Sequence, residues 1–142
     1  MNKEILEQVN NFYKQTSSLT YKTIEQSNAD FKIEIDRISK IFTIDDLEAM
    51  FLLSIITNNA SYKNCQIEDI ADNLDVSKFE VLKNYDKLIA LQNRNLIEIY
   101  EPDDNNEYNH RYSHKFKFPI SVLNKVFKIS NEVELKIFST DI

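Results

Sequence analysis

The chain has 142 residues, 42% of them hydrophobic, and a formal charge of −6. That is enough apolar material for one compact core, and no run of about 18 apolar residues offers a membrane span. It contains no glycine, where about ten are usual at this length, so every glycine-dependent phosphate site is excluded, the P-loop and the dinucleotide fingerprint included.

In chain order, Asn2–Thr16 reads as a first helix, with Ile5, Leu6, Val9, Phe12 and Tyr13 in a broad apolar stripe. The segment is charged throughout and lacks the continuous apolar core of a signal peptide. Ile24, Phe31, Ile35, Ile38 and Phe42 fit a helix interrupted near Ser27-Asn28. Phe31–Ile35 alternates and also fits a strand; helix is expected from Asn28 onward. Thr43 is the expected N-cap of the next helix, Ile44–Asn58, with Asp45 and Asp46 in its first turn, where carboxylates suit the helix dipole. Leu47, Met50, Phe51, Leu52, Leu53, Ile55 and Ile56 make that helix apolar nearly all round, as a central buried helix would be. A polar loop follows, Asn58–Asn64.

The most informative stretch is Gln66–Ile97. Ile67, Ile70, Ala71 and Leu74 fall at i, i+3, i+4, i+7, and Val81, Tyr85 and Leu88 repeat the pattern, extended by Leu91. Ser77 is a good N-cap between them, with Glu80 three residues on as a capping box requires. Small Ala71 permits a close crossing, and Val76 is placed to plug the turn. This is the pattern of a helix-turn-helix.

After it, Leu96–Tyr100 alternates as a strand, Glu101–Glu107 reads as a polar turn, and Tyr108–Phe118 alternates again. The two runs predict a hairpin wing. Pro119 suits the first position of a closing helix, Ile120–Lys128. The last stretch, Asn131–Ile142, fits either a strand or a short helix.

Ile70-Ala71-x-x-Leu74-x-Val76-Ser77, followed by Val81, Leu88 and Asn95-Leu96-Ile97, resembles the winged helix-turn-helix superfamily. The match covers about a third of the chain directly. Asp75 and Asn95 stand where that superfamily often has glycine; they are among the residues that best tolerate left-handed backbone. The resemblance implies a mainly helical fold with a small hairpin wing. Its parts are an N-terminal helical extension over 1–42, the winged domain over 43–130 and a C-terminal tail or linker over 131–142. The N-terminal helix followed by Leu47–Leu53 and the motif also resembles, weakly, the winged segment that precedes the ATPase core in some bacterial AAA-type ATPases. Any ATPase activity would then lie in a part of the protein outside these residues.

No catalytic constellation stands out, and neither a cofactor nor a metal is expected. His110 and His114 share a strand face but lack a third zinc ligand. Cys65, the only cysteine, has no basic neighbour to lower its pKa; a lone cysteine also excludes an intramolecular disulfide and fits a cytoplasmic protein. Asp103–Glu107 lacks the glycine and spacing of a calcium loop.

One surface remains as a candidate for nucleic-acid or partner binding: Ser77, Lys78, Lys83, Asn84, Lys87 and Arg94 on and after the second motif helix, with Arg111, Lys115 and Lys117 on the wing. Charge argues against DNA. Ile41–Cys65, Gln66–Leu96 and Ile97–Phe118 are each net −2, and both ends are neutral, whereas DNA affinity rests on neutralising phosphates. The function expected is therefore a non-catalytic interaction or regulatory module, whose partner is a protein or a C-terminal ATPase core, with no membrane. A DNA-binding transcription regulator is the alternative. A homodimer through the N-terminal helices is a further expectation.

Overall fold

The computed structural model describes residues 1–61, 64–101 and 119–138. Within them lie eight α-helices and one antiparallel pair of strands. The helices are α1 (Lys3–Thr16), α2 (Ile24–Asp30), α3 (Lys32–Phe42), α4 (Asp46–Ala60), α5 (Ile67–Leu74), α6 (Lys78–Lys83), α7 (Tyr85–Asn93) and α8 (Asn131–Phe138). The strands are β1 (Ile97–Tyr100) and β2 (Val126–Ile129). The architecture is thus mainly helical with a small antiparallel β element.

Local caps set the helix starts. Asn2 Oδ1 accepts from the Ile5 N–H at 3.0 Å and opens α1. Thr23 and Gln26 form a reciprocal box at the start of α2. Phe31 alone separates α2 from α3, so the interruption falls three residues beyond Asn28, and Phe31–Ile35 is not a strand. Thr43 is not an N-cap. It closes α3 in left-handed backbone, φ 55°, and Asp45 caps α4 instead. Asp45 Oδ1 accepts from Glu48 N–H at 2.8 Å while Glu48 Oε1 accepts from Asp45 N–H at 3.1 Å. Both residues are good caps by type and both have an acid three residues on; Thr43 is taken up in the left-handed close of α3, whereas Asp45 has the extended backbone an N-cap needs.

α4 is the axis of the molecule. Ala49, Phe51, Leu52 and Ile55 are fully buried, and α4 packs against α2, α3, α5, α7 and β2. From α5 come Ile67, Ile70, Ala71 and Leu74; from the next two helices come Val81, Leu88 and Leu91, all buried. Asp75 takes left-handed backbone at φ 58°, and Val76, 1% exposed, fills the turn. Tyr85 is half-buried, its ring edge-on to Phe127 with centroids 6.3 Å apart.

Two expectations fail inside this motif. The helix after the turn is not continuous: Asn84 divides it into α6 and α7, its Nδ2 donating to the Glu80 carbonyl at 2.9 Å. Glu80 does not complete a capping box either. Ser77 Oγ accepts from Phe79 N–H at 3.1 Å, while the Glu80 carboxylate accepts from Asn10 at 2.6 Å.

The strands also depart from expectation. Ile120–Lys128 is not one helix but a 3₁₀ turn, Pro119–Asn124, followed by β2. Ile120, Leu123 and Phe127 fall at helical spacing, yet Val126–Ile129 equally alternates, and pairing with β1 decides. Ile97 faces Ile129 and Ile99 faces Phe127 toward the core; Glu98 faces Lys128 on the outer side, opposite charges directly across. The free edge of β2 is occupied. Phe127 N–H donates to the Cys65 carbonyl at 2.8 Å. Asn59 accepts from Ile129 N–H at 2.8 Å and donates to the Phe127 carbonyl at 3.3 Å. The expected second wing strand, Tyr108–Phe118, lies outside the described residues. Asn131–Phe138 is helical, opened by Ser130, whose Oγ accepts from Val133 N–H at 3.2 Å. Among the described residues no helix is long and apolar enough to cross a membrane.

Candidate functional site

The surface singled out in the sequence is built around α6. Its six residues present Lys78, Phe79 and Lys83, each half-buried, on one side, with Val81 and Leu82 buried. That side is covered by α1, which packs along α6. The contacts are mostly polar. Asn10, 1% exposed, donates to Glu80. Glu7 pairs with Lys83, and Lys3 lies 3.7 Å from Asp86. Tyr13 stands edge-on to Phe79, centroids 5.2 Å apart, and its hydroxyl meets that of Tyr21 at 3.1 Å. This hydroxyl contact, with burial, pushes the Tyr13 pKa up to about 12.

Each described residue of the expected site therefore has an internal engagement. Ser77 is buried as a cap. The Lys78 ammonium lies 5.6 Å from the Tyr13 ring centroid and 5.9 Å from that of Phe79, a cation–π arrangement. Hydrogen bonding to Glu7 raises the Lys83 pKa against the opposing effect of burial. Asn84 is spent on the Glu80 carbonyl. Lys87 donates to Asp45 at 2.6 Å, which raises the lysine pKa. Burial works against ionisation of Asp45, but the Glu48 N–H and the Lys87 ammonium outweigh it, and the carboxyl sits below its ordinary value. Arg94 Nη1 donates to the Thr43 carbonyl at 3.1 Å, and its Nε lies 3.4 Å from buried Glu48. Arg111, Lys115 and Lys117 lie outside the described residues, as do His110, His114 and Asp103–Glu107.

Sequence reasoning missed the partners Glu7, Asn10 and Tyr13. A signal for them exists: Lys3, Glu7, Asn10 and Lys14 recur at helical spacing and make a second, polar stripe beside the apolar one. The apolar stripe was expected to pack on the core or on a second copy of the chain; its Leu6 and Tyr13 turn inward beside Glu7 and Asn10, while Ile5, Val9 and Phe12 stay exposed.

Elsewhere, a cleft of about 200 Å³ opens between α3, α4 and the end of α5, walled by Phe31, Ile35, Met50, Leu53 and Leu74. Its Asn73 Oδ1 accepts from Ser54 at 2.9 Å and from Asn58 at 2.5 Å, so its polar group is already satisfied. Cys65 is fully buried, and burial pushes its thiol up to about 12, far from a reactive thiolate. Among the described residues no group of three or more His, Cys, Asp and Glu could hold a metal ion.

In comparisons with family models, curated proteins and solved structures, nothing matches the chain.

Proposed function

We propose that the chain is a non-catalytic winged-helix interaction and regulatory module. In this reading it stands ahead of the ATPase core of a bacterial AAA-type ATPase and works through protein contacts. The observation that carries this reading is the engagement of the α6 surface by α1. A helix that reads base edges must enter the groove, and phosphate contacts need cations with charge to spare. Here Glu7, Asp45 and Glu48 sit on Lys83, Lys87 and Arg94, and Lys78 lies over two aromatic rings. The neighbouring face of α5 adds Glu68, Asp69 and Asp72, and the raised pKa of Asp72, from burial and then these two neighbours, marks crowded negative charge. Such a surface repels a phosphate backbone and suits a protein partner.

The test is a titration of the chain against genomic duplex fragments at low and at physiological salt. No binding at physiological salt is expected. Tight binding that weakens steeply with salt and is abolished by Lys78→Glu with Lys87→Glu would overturn the reading and support the transcription regulator. The ATPase connection has its own check, a Gly-rich phosphate loop in the reading frame after Ile142.

A further inference from the structure

α1 is amphipathic, and it is mounted the wrong way round for a helix of a finished monomer. Its polar edge, with Glu7 and Asn10, lies against α6. Leu6 and Tyr13 of its apolar stripe turn inward, but the rest of the stripe points to solvent: Ile5 is 61% exposed, Val9 38% and Phe12 71%, with Met1 at 62% one turn before. Ile5, Val9 and Phe12 fall at i, i+4, i+7, the spacing of a helix–helix seam. The row flanking the seam on one side is Glu4, Gln8, Asn11 and Gln15, all exposed, with Glu4 its one charged member.

We propose that this face is covered by the same face of a second copy of the chain, with the two α1 helices antiparallel. Charge selects both the occupant and the direction. The chain carries −6, so most of its surface repels a copy of itself, but α1 with Lys3, Glu4, Glu7 and Lys14 is neutral. Lys3 and Glu7 lie against Asp86 and Lys83, which leaves the acid Glu4 in the first half and the base Lys14 in the second. An antiparallel pair sets unlike halves together and opposes the helix dipoles; a parallel pair does neither. In the antiparallel register Ile5 of one copy lies against Phe12 of the other, with the two Val9 side chains between. A lipid surface is a poorer fit, since an interfacial helix needs a basic polar face, and that edge is engaged with α6. The area removed from water is on the order of 1,000 Å² in the two copies together, near the lower edge of specific interfaces, so the dimer is reversible. The surface does not involve α6, so its fate is independent of DNA binding.

Sedimentation velocity of the chain from about 5 to about 500 µM, concentrations that register a Kd between about 1 µM and about 1 mM, tests the dimer. The sedimentation coefficient is expected to climb from monomer toward dimer. The Ile5→Asp/Phe12→Asp variant should stay monomeric and, at the dilute end where both chains are monomeric, melt at the wild-type midpoint, because both side chains are exposed. A wild-type chain that remains monomeric throughout, or association that survives in the variant, overturns the proposal. The direction is read by mixing Ile5→Cys and Phe12→Cys chains under oxidation, with buried Cys65 as a silent background. The mixed 5-to-12 disulfide should predominate; predominance of 5-to-5 and 12-to-12 would overturn the antiparallel arrangement.

Discussion

Asn10 and Glu80, seventy positions apart, share a hydrogen bond of 2.6 Å that fastens α1 to α6. Asn10 is buried, and its Oδ1 has no hydrogen-bond partner among the described residues. The bond matters because Glu80 is itself largely covered, its side chain 13% exposed.

Asn10→Ala leaves that carboxylate without its neutral donor, and losses of this kind cost about 1–3 kcal/mol. Asn10→Asp adds a like charge at hydrogen-bond distance and should do worse. Amide hydrogen exchange is the measurement: α1 should exchange faster in both variants while α4 keeps its protection. Unchanged exchange in α1 would show that the contact does not hold the helix.

Leu88 is fully buried against the α4 core. Leu88→Ala should cost about 2–5 kcal/mol, the range for a buried leucine. Phe127→Ala should cost about 3–5 kcal/mol and also loosen the β1–β2 pair. Chemical denaturation read at several wavelengths gives both values, and a midpoint unmoved in either variant contradicts the packing described.

The pKa of Asp45 is lowered below its ordinary 3.8 in the folded chain. A lowered carboxyl contributes stability above its unfolded value and loses it as pH falls through the folded value. Acid titration should therefore show stability dropping below about pH 4, with a shallower drop in Asp45→Asn. Lys83 and Lys87 are shifted upward. Their contribution is complete below the unfolded lysine value and is lost as pH rises through the folded one, so Lys83→Met should flatten the alkaline limb.

Asp72 has the opposite sense. Its raised pKa means that the fold disfavours the charged carboxylate, so at neutral pH the charge works against folding. Asp72→Asn should raise the melting midpoint slightly, within the roughly 0.5 kcal/mol typical of surface substitutions. A lower midpoint would mean that attraction to Lys78 outweighs burial and the repulsion from Glu68 and Asp69.

Cys65 should be inert to thiol reagents in the folded state, being buried with its pKa near 12. Its modification rate should follow unfolding by denaturant. Fast labelling of the native protein would indicate a local opening at the Cys65–Phe127 bridge.

Periodicity made much of the interior legible. The stripe of α5 is buried as spaced, and so are Val81, Leu88 and Leu91 beyond it, with Tyr85 half-buried, and Asp75 and Asn95 take left-handed backbone where glycine was missed. What stayed illegible depended on partners far along the chain. Val126–Ile129 is a strand because β1 and Asn59 supply its hydrogen bonds; nothing local separates it from a helix. Glu80 has the spacing of a capping residue, but Asn10 claims it. The candidate surface was visible as a set of cations, whereas the acids that neutralise them come from α1 and the start of α4. A count of net charge sensed this opposition without locating it.

Three sharp bends, at Thr43, Asp75 and Asn95, pass through left-handed backbone on residues that carry a Cβ. Aspartate and asparagine tolerate this, but a β-branched threonine is the least suited of the three. Thr43 is exposed, and the group it offers to Arg94 is its carbonyl, which any residue provides. Relieving the steric conflict with glycine returns roughly 1–2 kcal/mol, less the roughly 0.5–1 kcal/mol by which glycine widens the unfolded ensemble. A chain that makes its turns without glycine has thereby kept mutational headroom: one replacement at Thr43 would let it tolerate a modest loss elsewhere, including on surfaces where a new partner is being acquired.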